Sequence, residues 1–145
     1  MPPNRKIPKV FLDANILFAA AYSSRGGSRE IIRKGIAGEL VTIVSTTVLN
    51  EAVRNLQQKA PAALESFRIF VGALDPLIAE EPSKMEVEEV GQYINPEDAV
   101  VLAAAIKAET DYFVTLDKKH FLKDPQVEKK AKLKILSPRQ FLKEI

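Results

Sequence analysis

The chain contains no cysteine, no tryptophan and only one histidine among its 145 residues. Without cysteine there can be no disulfide framework, no thiolate nucleophile and no cysteine-ligated zinc or iron–sulfur site. The single histidine, His120, cannot form a paired-histidine general acid and base or a cluster of histidine metal ligands. Any hydrolytic chemistry must therefore rest on carboxylates, hydroxyls, lysine or a metal held by oxygen atoms, which suit Mg²⁺ or Mn²⁺.

Long hydrophobic runs are also missing. The longest unbroken apolar run covers residues 99–106, far short of the roughly 18 residues that a membrane-spanning helix needs. Asp13 and Asn15 interrupt the apolar stretch that a secretion signal would require near the start of the sequence. We therefore expect a cytoplasmic protein with no membrane partner. The length fits one domain over residues 1–145, and an apolar content of 46% is enough for a hydrophobic core.

The charged residues are unevenly distributed along the chain. The formal net charge is +4 over residues 1–40, −6 over residues 41–100 and +4 over residues 101–145, which leaves +2 in total. A basic beginning and end around an acidic middle could form a phosphate-binding face beside an acidic pocket. Solvated helix faces are the alternative explanation for such charge blocks.

Four short, mainly apolar runs predict strands that are buried on both faces. They cover residues 9–12, 41–44, 112–116 and 133–136. Helical spacing of the apolar residues between them predicts helices near 16–22, 28–38, 48–56, 64–74, 87–94 and 95–109, and a last helix after Ser137. Ser28 is predicted to cap the second helix, and residues 74–83 form the least regular stretch. Strands that alternate with helices predict an α/β fold, a three-layer α/β/α sandwich around a mainly parallel sheet of four to five strands.

Two aspartates directly follow predicted strands. Asp13 is the only charged residue within 10–17, and Asp117 follows the strand at 112–116. A buried, unpaired carboxylate is energetically costly, so its presence needs a reason. Each aspartate could simply cap the helix that follows it. The alternative is a functional site, because ligands of parallel α/β sheets bind at the carboxyl ends of the strands.

Two further acids, Glu51 and Asp98, lie near the beginnings of predicted helices. Glu51 cannot complete a capping box, because Val48 stands where that motif needs Ser or Thr. It could pair with Arg54 or form a hydrogen bond with Asn55 on a solvated face, although it adjoins the apolar stripe of its helix. Asp98 could stabilise the helix dipole, but Glu97 does so equally well, and the spacing of Asp98 places it toward the core. Together with the two strand ends, these helices would bring four acids to one edge of the sheet.

Four carboxylates in one pocket require a cation. Two carboxylates about 4 Å apart repel by roughly 4 kcal/mol at an effective dielectric constant of about 20, so several cannot stay ionised together without one. A divalent ion such as Mg²⁺ supplies that charge while it keeps bound water. The metal turns such a water into a nucleophile and stabilises charge on a scissile phosphate. Hydrolysis of a phosphodiester bond is therefore the predicted reaction.

The segments that contain the four acids resemble the PIN domain family. They are VFLDANIL around Asp13, VTIVSTTVLNE ending at Glu51, PED ending at Asp98 and FVTLD ending at Asp117, with Phe121 after the last. The similarity runs from about residue 9 to residue 136, nearly the whole chain. Each segment is short and common, but four of them in the correct order at suitable spacing are fairly specific.

This resemblance implies a metal-dependent endoribonuclease, often the toxin of a bacterial or archaeal toxin–antitoxin pair, that hydrolyses RNA with a water activated by Mg²⁺ or Mn²⁺. It also implies a homodimer and an antitoxin partner. The catalytic and metal-binding residues that it implies are Asp13, Glu51, Asp98 and Asp117. By the same resemblance Asn15 and Thr115 orient ligands or water. Some members of the family process RNA instead, and some have lost activity.

Other residues are assigned from their positions. The basic residues predicted to bind RNA phosphates, with ordinary solvation as the alternative, are Arg25, Arg29, Lys118 and Lys119. His120 is interpreted as a loop residue rather than a ligand. Tyr22 could stack on a base or pack in the core. Phe67 and Phe70 are predicted to be core residues, with an apolar dimer or antitoxin groove as the alternative.

Two other classes of protein compete with the nuclease. A signalling receiver domain is also parallel α/β with an aspartate at a strand end. It would need an additional acidic pair before that strand and a Lys-Pro late in the chain, and the sequence contains neither. The alternative that stays open is a non-catalytic or RNA-processing protein of the PIN fold that binds nucleic acid.

Overall fold

A computed structural model describes residues 6–145, so the first five residues of the predicted domain lie outside the described part. The described strands are β1 Lys9–Leu12, β2 Val41–Val44, β3 Leu77–Ile78, β4 Tyr112–Val114 and β5 Lys134–Leu136. The helices are α1 Ala14–Tyr22, α2 Gly27–Ile36, α3 Thr46–Lys59, α4 Leu64–Leu74, α5 Lys84–Val90, α6 Pro96–Lys107, α7 Pro125–Ala131 and α8 Pro138–Glu144. Short helical turns lie at Pro61–Ala63 and Lys118–Leu122. No helix within residues 6–145 has the length and apolar character needed to cross a bilayer.

All five strands join one parallel sheet in the order β3-β2-β1-β4-β5. Val10, Phe11 and Leu12 of β1 are consecutive and completely buried. Successive side chains of a strand point to opposite faces, so both faces of the sheet are covered. The predicted α/β sandwich with a parallel sheet is therefore confirmed.

The chain order reverses beside the central strand. From β1 it proceeds outward to β2 and β3, and then returns to the other side of β1 to form β4 and β5. Helices that leave β1 and β4 must diverge, because the connections on the two sides run in opposite directions. The crevice at the carboxyl ends of β1 and β4 is thus the place where a parallel α/β sheet binds its ligand.

An aromatic cluster supports this crevice from below. The rings of Phe11 in β1 and Phe113 in β4 stack with their centroids 5.6 Å apart. The ring of Phe121, from the turn after β4, lies 4.9 Å from that of Phe113. All three side chains are buried, so they fix the two strand ends and the turn relative to one another.

The beginning of α2 differs from its prediction. Ser28 does not cap the helix, because α2 begins at Gly27 with Gly26 as its N-cap. Gly26 has a φ of 102°, which glycine adopts readily and serine does not. Ser28 instead lies buried in the first turn.

Other boundaries also differ. The predicted strand at 112–116 ends at Val114, and the predicted helix at 87–94 ends at Val90. β3 lies within the stretch considered least regular, and α7 was not predicted. Phe67 and Phe70 are buried as predicted, with their rings in an edge-to-face contact.

Candidate metal centre

Asp13 is held at the end of β1 by the backbone around it. Its N–H donates to the Val114 carbonyl oxygen at 3.1 Å, which extends the pairing of β1 with β4 by one residue. Its Oδ1 accepts a hydrogen bond from the Ala14 N–H at 2.8 Å, and Asp13 is also the N-cap of α1. The same carboxylate therefore caps α1 and lies at the carboxyl end of β1, so the two interpretations of Asp13 do not exclude each other.

The pKa of Asp13 is raised from 3.8 to about 6, chiefly by burial. The residue is only 8% exposed. Hydrogen bonds from Thr115 and Ala14 oppose this rise, while the negative charges of Glu51 and Asp98 add to it. An ionised Asp13 is thus an unfavourable state that a bound cation would relieve.

Asn15 and Thr115 form a hydrogen-bonded network beneath the carboxylates. The fully buried Thr115 hydroxyl donates to Asp13 Oδ2 at 2.8 Å and accepts from the Asp117 N–H at 3.1 Å. Asn15 Nδ2 lies 3.3 Å from Asp13 Oδ2 and 3.1 Å from Thr115 Oγ1. Asn15 Oδ1 accepts from the Leu116 N–H at 2.9 Å. The network ties the end of β1 to the segment after β4 and fixes both aspartates.

Asp98 enters the crevice from the first turn of α6. Asn95 caps this helix, since its Oδ1 accepts from the Asp98 N–H at 3.0 Å. Asn95 Nδ2 in turn donates to Asp98 Oδ2. Pro96 at the first helical position fixes the backbone angle φ there. The side chain of Asn95 therefore holds both the helix end and the carboxylate that projects from it.

Asp117 begins the short turn Lys118–Leu122 that follows β4. Its Oδ1 accepts from the His120 N–H at 3.0 Å, as the predicted cap would. Its Oδ2 lies 2.9 Å from His120 Nδ1, which is itself 3.6 Å from Asp98 Oδ2. The sequence predicts a loop residue at His120 rather than a ligand, but the structure places its ring beside two of the predicted metal ligands. The spacing of three residues from Asp117 was the only sequence signal for this contact.

Glu51 is the most exposed of the four acids and lies in the second turn of α3. Partial burial of its carboxyl and the negative charge of Asp98 raise its pKa, although the positive charge of Arg54 opposes the rise. The alternative of an ion pair with Arg54 is not realised, because no pair between them within 4.0 Å occurs in the described part of the chain.

Two of the four acids, Asp98 and Asp117, share a possible metal site, and the other two are linked to it through their charges. Ligand atoms of Asp98, Asp117 and His120 all lie within 4.8 Å of one another. Asp13 and Glu51 are close enough for their charges to act on each other and on Asp98. Throughout residues 6–145, no Lys or Arg nitrogen comes within 4.0 Å of these four acids. Carboxylate oxygens without a lysine or arginine in direct contact fit a divalent ion.

The basic residues predicted to bind RNA occupy two places. Lys118 and Lys119 are exposed on the turn that begins at Asp117. Arg25 is exposed before α2, whereas Arg29 is half-buried against α4. The Arg29 guanidinium lies 5.7 Å from the centre of the Phe70 ring and donates to Ser66 Oγ at 3.4 Å. RNA binding by these residues stays a prediction, and Arg29 has a packing role beside it. Tyr22 is 69% exposed and is therefore not a core residue.

Replacing Asn95 by alanine tests its hold on Asp98. Removing a helix N-cap costs about 1 kcal/mol, and disturbing a residue that orients a metal ligand lowers affinity about 10-fold. We expect Asn95→Ala to show both losses, measured by chemical denaturation and by calorimetric titration with Mn²⁺. Ser137→Ala is the matched control, because Ser137 caps α8 in the same way but touches no candidate ligand. It should lose stability only, and equal Mn²⁺ affinities in the two variants would contradict the role of Asn95.

Comparison with known proteins adds to this geometry. Residues 9–119 match the PIN domain family. No curated protein matches the chain in sequence. The crystal structure of VapBC2 from Rickettsia felis bound to a DNA fragment from their promoter is similar, with a TM-score of 0.62 and 18% identity. The match covers 89% of this chain and 98% of that chain.

Two further crystal structures share the fold. PAE2754 from Pyrobaculum aerophilum has a TM-score of 0.66 and 19% identity, over 99% of this chain and 92% of that chain. DNA-bound VapBC from Salmonella typhimurium has a TM-score of 0.65 and 16% identity, over 90% of this chain and 98% of that chain. The family match spans most of the sequence and includes all four acids of the crevice. The chain therefore belongs to the PIN domain family.

Proposed function

We propose that the protein is a divalent-metal-dependent endoribonuclease that hydrolyses RNA phosphodiester bonds and that it is the toxin of a toxin–antitoxin pair. The observation that carries the nuclease proposal is the crevice between β1 and β4. Ligand atoms of Asp98 and Asp117 lie within 4.8 Å of each other there, and Asp13 and Glu51 act on Asp98 through their charges. No lysine or arginine nitrogen of the described residues lies within 4.0 Å of these acids. Membership of the PIN domain family supports the same conclusion.

The proposed site binds Mg²⁺ or Mn²⁺ through Asp13, Asp98 and Asp117, with Glu51 at its open side. Such an ion, when bound, acidifies a water molecule and stabilises the negative charge of the phosphate undergoing attack. Thr115 and Asn15 hold Asp13 and Asp117 in place, which limits the reorganisation needed during the reaction.

Glu51 is suited to accept the proton from the attacking water. Its side chain is the most exposed of the four, so solvent can reach its carboxylate. Burial and the charge of Asp98 raise its pKa, which makes it a stronger base than an ordinary glutamate. Asp13, by contrast, is buried and held by hydrogen bonds to Ala14 and Thr115, so it is fixed as a ligand.

Incubation of the purified protein with labelled single-stranded RNA and Mn²⁺ tests the activity. Cleavage is expected with Mn²⁺, and it should disappear with EDTA and in the Asp13→Asn variant. Cleavage that survives both controls would refute this mechanism. Tight, metal-independent RNA binding without cleavage would favour the non-catalytic alternative on the same fold.

The partner proposal concerns an antitoxin and a second copy of the chain. Two of the similar solved structures are VapBC assemblies, which supports a chain that works with a second protein. A neighbouring gene for a small protein with a DNA-binding pattern and an acidic or amphipathic tail is the expected sign of an antitoxin. Co-expression of that protein should suppress both toxicity and RNA cleavage, and light scattering of the chain alone should give the mass of a homodimer.

Lys118 and Lys119 are expected to contribute salt-dependent affinity for RNA. Each contact to a single-stranded phosphate adds about 0.7 to the slope of log affinity against log salt concentration. Lys118→Gln and Lys119→Gln, each in the cleavage-deficient Asp13→Asn background, should each lower that slope by this amount in a fluorescence-anisotropy titration. Lys129→Gln, on α7, is the charge-matched control. A slope that changes equally in all three variants would assign the effect to overall charge instead.

A further inference from the structure

His120 is the only histidine of the chain, and its ring faces the candidate metal centre. Its Nδ1 lies 2.9 Å from Asp117 Oδ2 and 3.6 Å from Asp98 Oδ2. The side chain is 44% exposed, and each of the two aspartate side chains is 24% exposed. One ring nitrogen thus points at the carboxylates of two different elements, α6 and the turn after β4.

The position of the ring follows from the turn Lys118–Leu122. Asp117 Oδ1 accepts from the His120 N–H at 3.0 Å, which folds the backbone back over the carboxylate. The next residue, Phe121, is buried against Phe113 and anchors the turn to β4. The backbone and the neighbouring anchor therefore keep the His120 ring on the crevice side of the turn.

We propose that His120 Nδ1 is a direct ligand of the divalent ion that Asp98 and Asp117 hold. This proposal rests on the proposed metal-dependent function. Two ligand atoms on an ion with bonds of about 2.1 Å are about 3.0 Å apart at right angles and about 3.4 Å apart in a tetrahedron. The separations of Nδ1 from the two Oδ2 atoms, 2.9 and 3.6 Å, are close to these values.

An imidazole ligand also determines which ion the site prefers. Mg²⁺ favours oxygen ligands, whereas imidazole nitrogen suits Fe²⁺, Ni²⁺ and Zn²⁺. Mn²⁺ also favours oxygen, but as a first-row transition metal it accepts a nitrogen ligand more readily than Mg²⁺ does. The ratio of Mn²⁺ affinity to Mg²⁺ affinity is accordingly larger for a site that includes His120 than for a site of oxygen atoms alone. The preference for Mn²⁺ over Mg²⁺ is therefore predicted to depend on His120.

Pulsed electron paramagnetic resonance of bound Mn²⁺ in the untagged, full-length chain tests the proposal. Because the chain has a single histidine, any imidazole nitrogen coupled directly to Mn²⁺ belongs to His120. We expect a nitrogen coupling that changes when the protein is labelled with 15N-histidine. This readout needs neither a variant nor enzyme activity.

The His120→Asn variant provides the second measurement. Asparagine keeps a hydrogen-bond donor toward Asp117 but removes the imidazole nitrogen. Calorimetric titrations should show the ratio of Mn²⁺ to Mg²⁺ affinity falling on the order of 10-fold. Lys129→Asn, on α7, is the control and should leave the ratio unchanged.

The outcomes separate this proposal from the function on which it rests. If Mn²⁺ binds and Asp98→Asn abolishes binding, but no histidine nitrogen couples to the ion, His120 is not a ligand and the proposed nuclease site stands. If neither Mn²⁺ nor Mg²⁺ binds the wild-type chain, the proposed metal-dependent function itself fails. An unchanged ratio of affinities in His120→Asn would also overturn the ligand role.

Discussion

Replacing Asp13 by asparagine is expected to stabilise the ion-free protein at pH 7 by about 2 kcal/mol and to lower RNA cleavage by at least about 10³-fold. Burial raises the pKa of Asp13 from 3.8 to about 6. With about 1.36 kcal/mol for each pKa unit, the ionised carboxylate costs about 3 kcal/mol at neutral pH, and the neutral amide avoids this cost. The amide oxygen of asparagine accepts the hydrogen bond from the Thr115 hydroxyl more weakly than the carboxylate does, which offsets about 1 kcal/mol of the gain.

The loss of cleavage has a different cause. Asparagine removes one negative charge from the crevice, so a divalent ion is bound more weakly and less well placed. Metal ions supply several kcal/mol of charge stabilisation to a transition state, and each 1.36 kcal/mol corresponds to about tenfold in rate. The same substitution therefore moves stability and activity in opposite directions. Urea denaturation in EDTA and initial cleavage rates in Mn²⁺ measure the two effects.

The pH dependence follows from the direction of the pKa shift. The folded state binds the proton of Asp13 more tightly than the unfolded chain does, since the pKa rises from 3.8 to about 6 on folding. The contribution of this group to stability is therefore largest below about pH 4 and is lost as the pH rises through about 6. Wild-type protein in EDTA should lose stability across this window, and Asp13→Asn should not show that loss.

Asp75→Asn is the control for this prediction. Asp75 is exposed and has a φ of 45°, a conformation that asparagine also adopts. Its unfolding free energy should stay within about 0.5 kcal/mol of the wild-type value. If Asp13→Asn and Asp75→Asn are equally stable at pH 7 in EDTA, the charge of Asp13 is not the source of the predicted penalty.

Strands β1 and β2 could be predicted because they are buried on both faces. Runs such as Lys9–Leu12 and Val41–Val44 are mainly apolar without alternation, and their boundaries are the same in the structure. β3 could not be predicted in this way, since Leu77–Ile78 is only two exposed residues that pair with β2. β3 is a strand because its backbone pairs with that of β2, and its own sequence has no strand pattern.

The remaining differences concern contacts that depend on tertiary packing. The helix α7 carried usable signals, Asp124 as N-cap and Pro125 at the first position, but its apolar pattern is short. The approach of His120 to Asp98 requires α6 to dock beside the turn after β4, and no local pattern encodes that docking. The four acids could therefore be proposed from the sequence, and their role stays a prediction, whereas the histidine nitrogen beside two of them required the structure.

Replacing Thr115 by valine is expected to destabilise the protein by about 2 to 3 kcal/mol and to weaken Mn²⁺ binding about 10- to 100-fold. Valine has nearly the same shape, so packing is preserved, but the hydroxyl that serves both Asp13 and the Asp117 N–H is lost. Thr115 is fully buried, so water cannot replace it at those atoms. The hydrogen bond from Thr115 lowers the pKa of Asp13, so its removal raises that pKa further. Thr115→Ser retains the hydroxyl and should keep most of the Mn²⁺ affinity.

A double-mutant cycle separates the two roles of Thr115. In the Asp13→Asn background the buried partner is neutral, so Thr115→Val should cost about 1 kcal/mol less stability than it does in the wild type. The difference is the energy of the hydrogen bond to the charged carboxylate, and it should disappear as the pH falls below about 6, where Asp13 of the folded protein becomes protonated. Equal costs in both backgrounds at pH 7 would mean that Thr115 acts only through Asn15 and the Asp117 backbone. The predicted coupling instead makes Thr115 the residue that keeps a buried, desolvated carboxylate positioned for a cation.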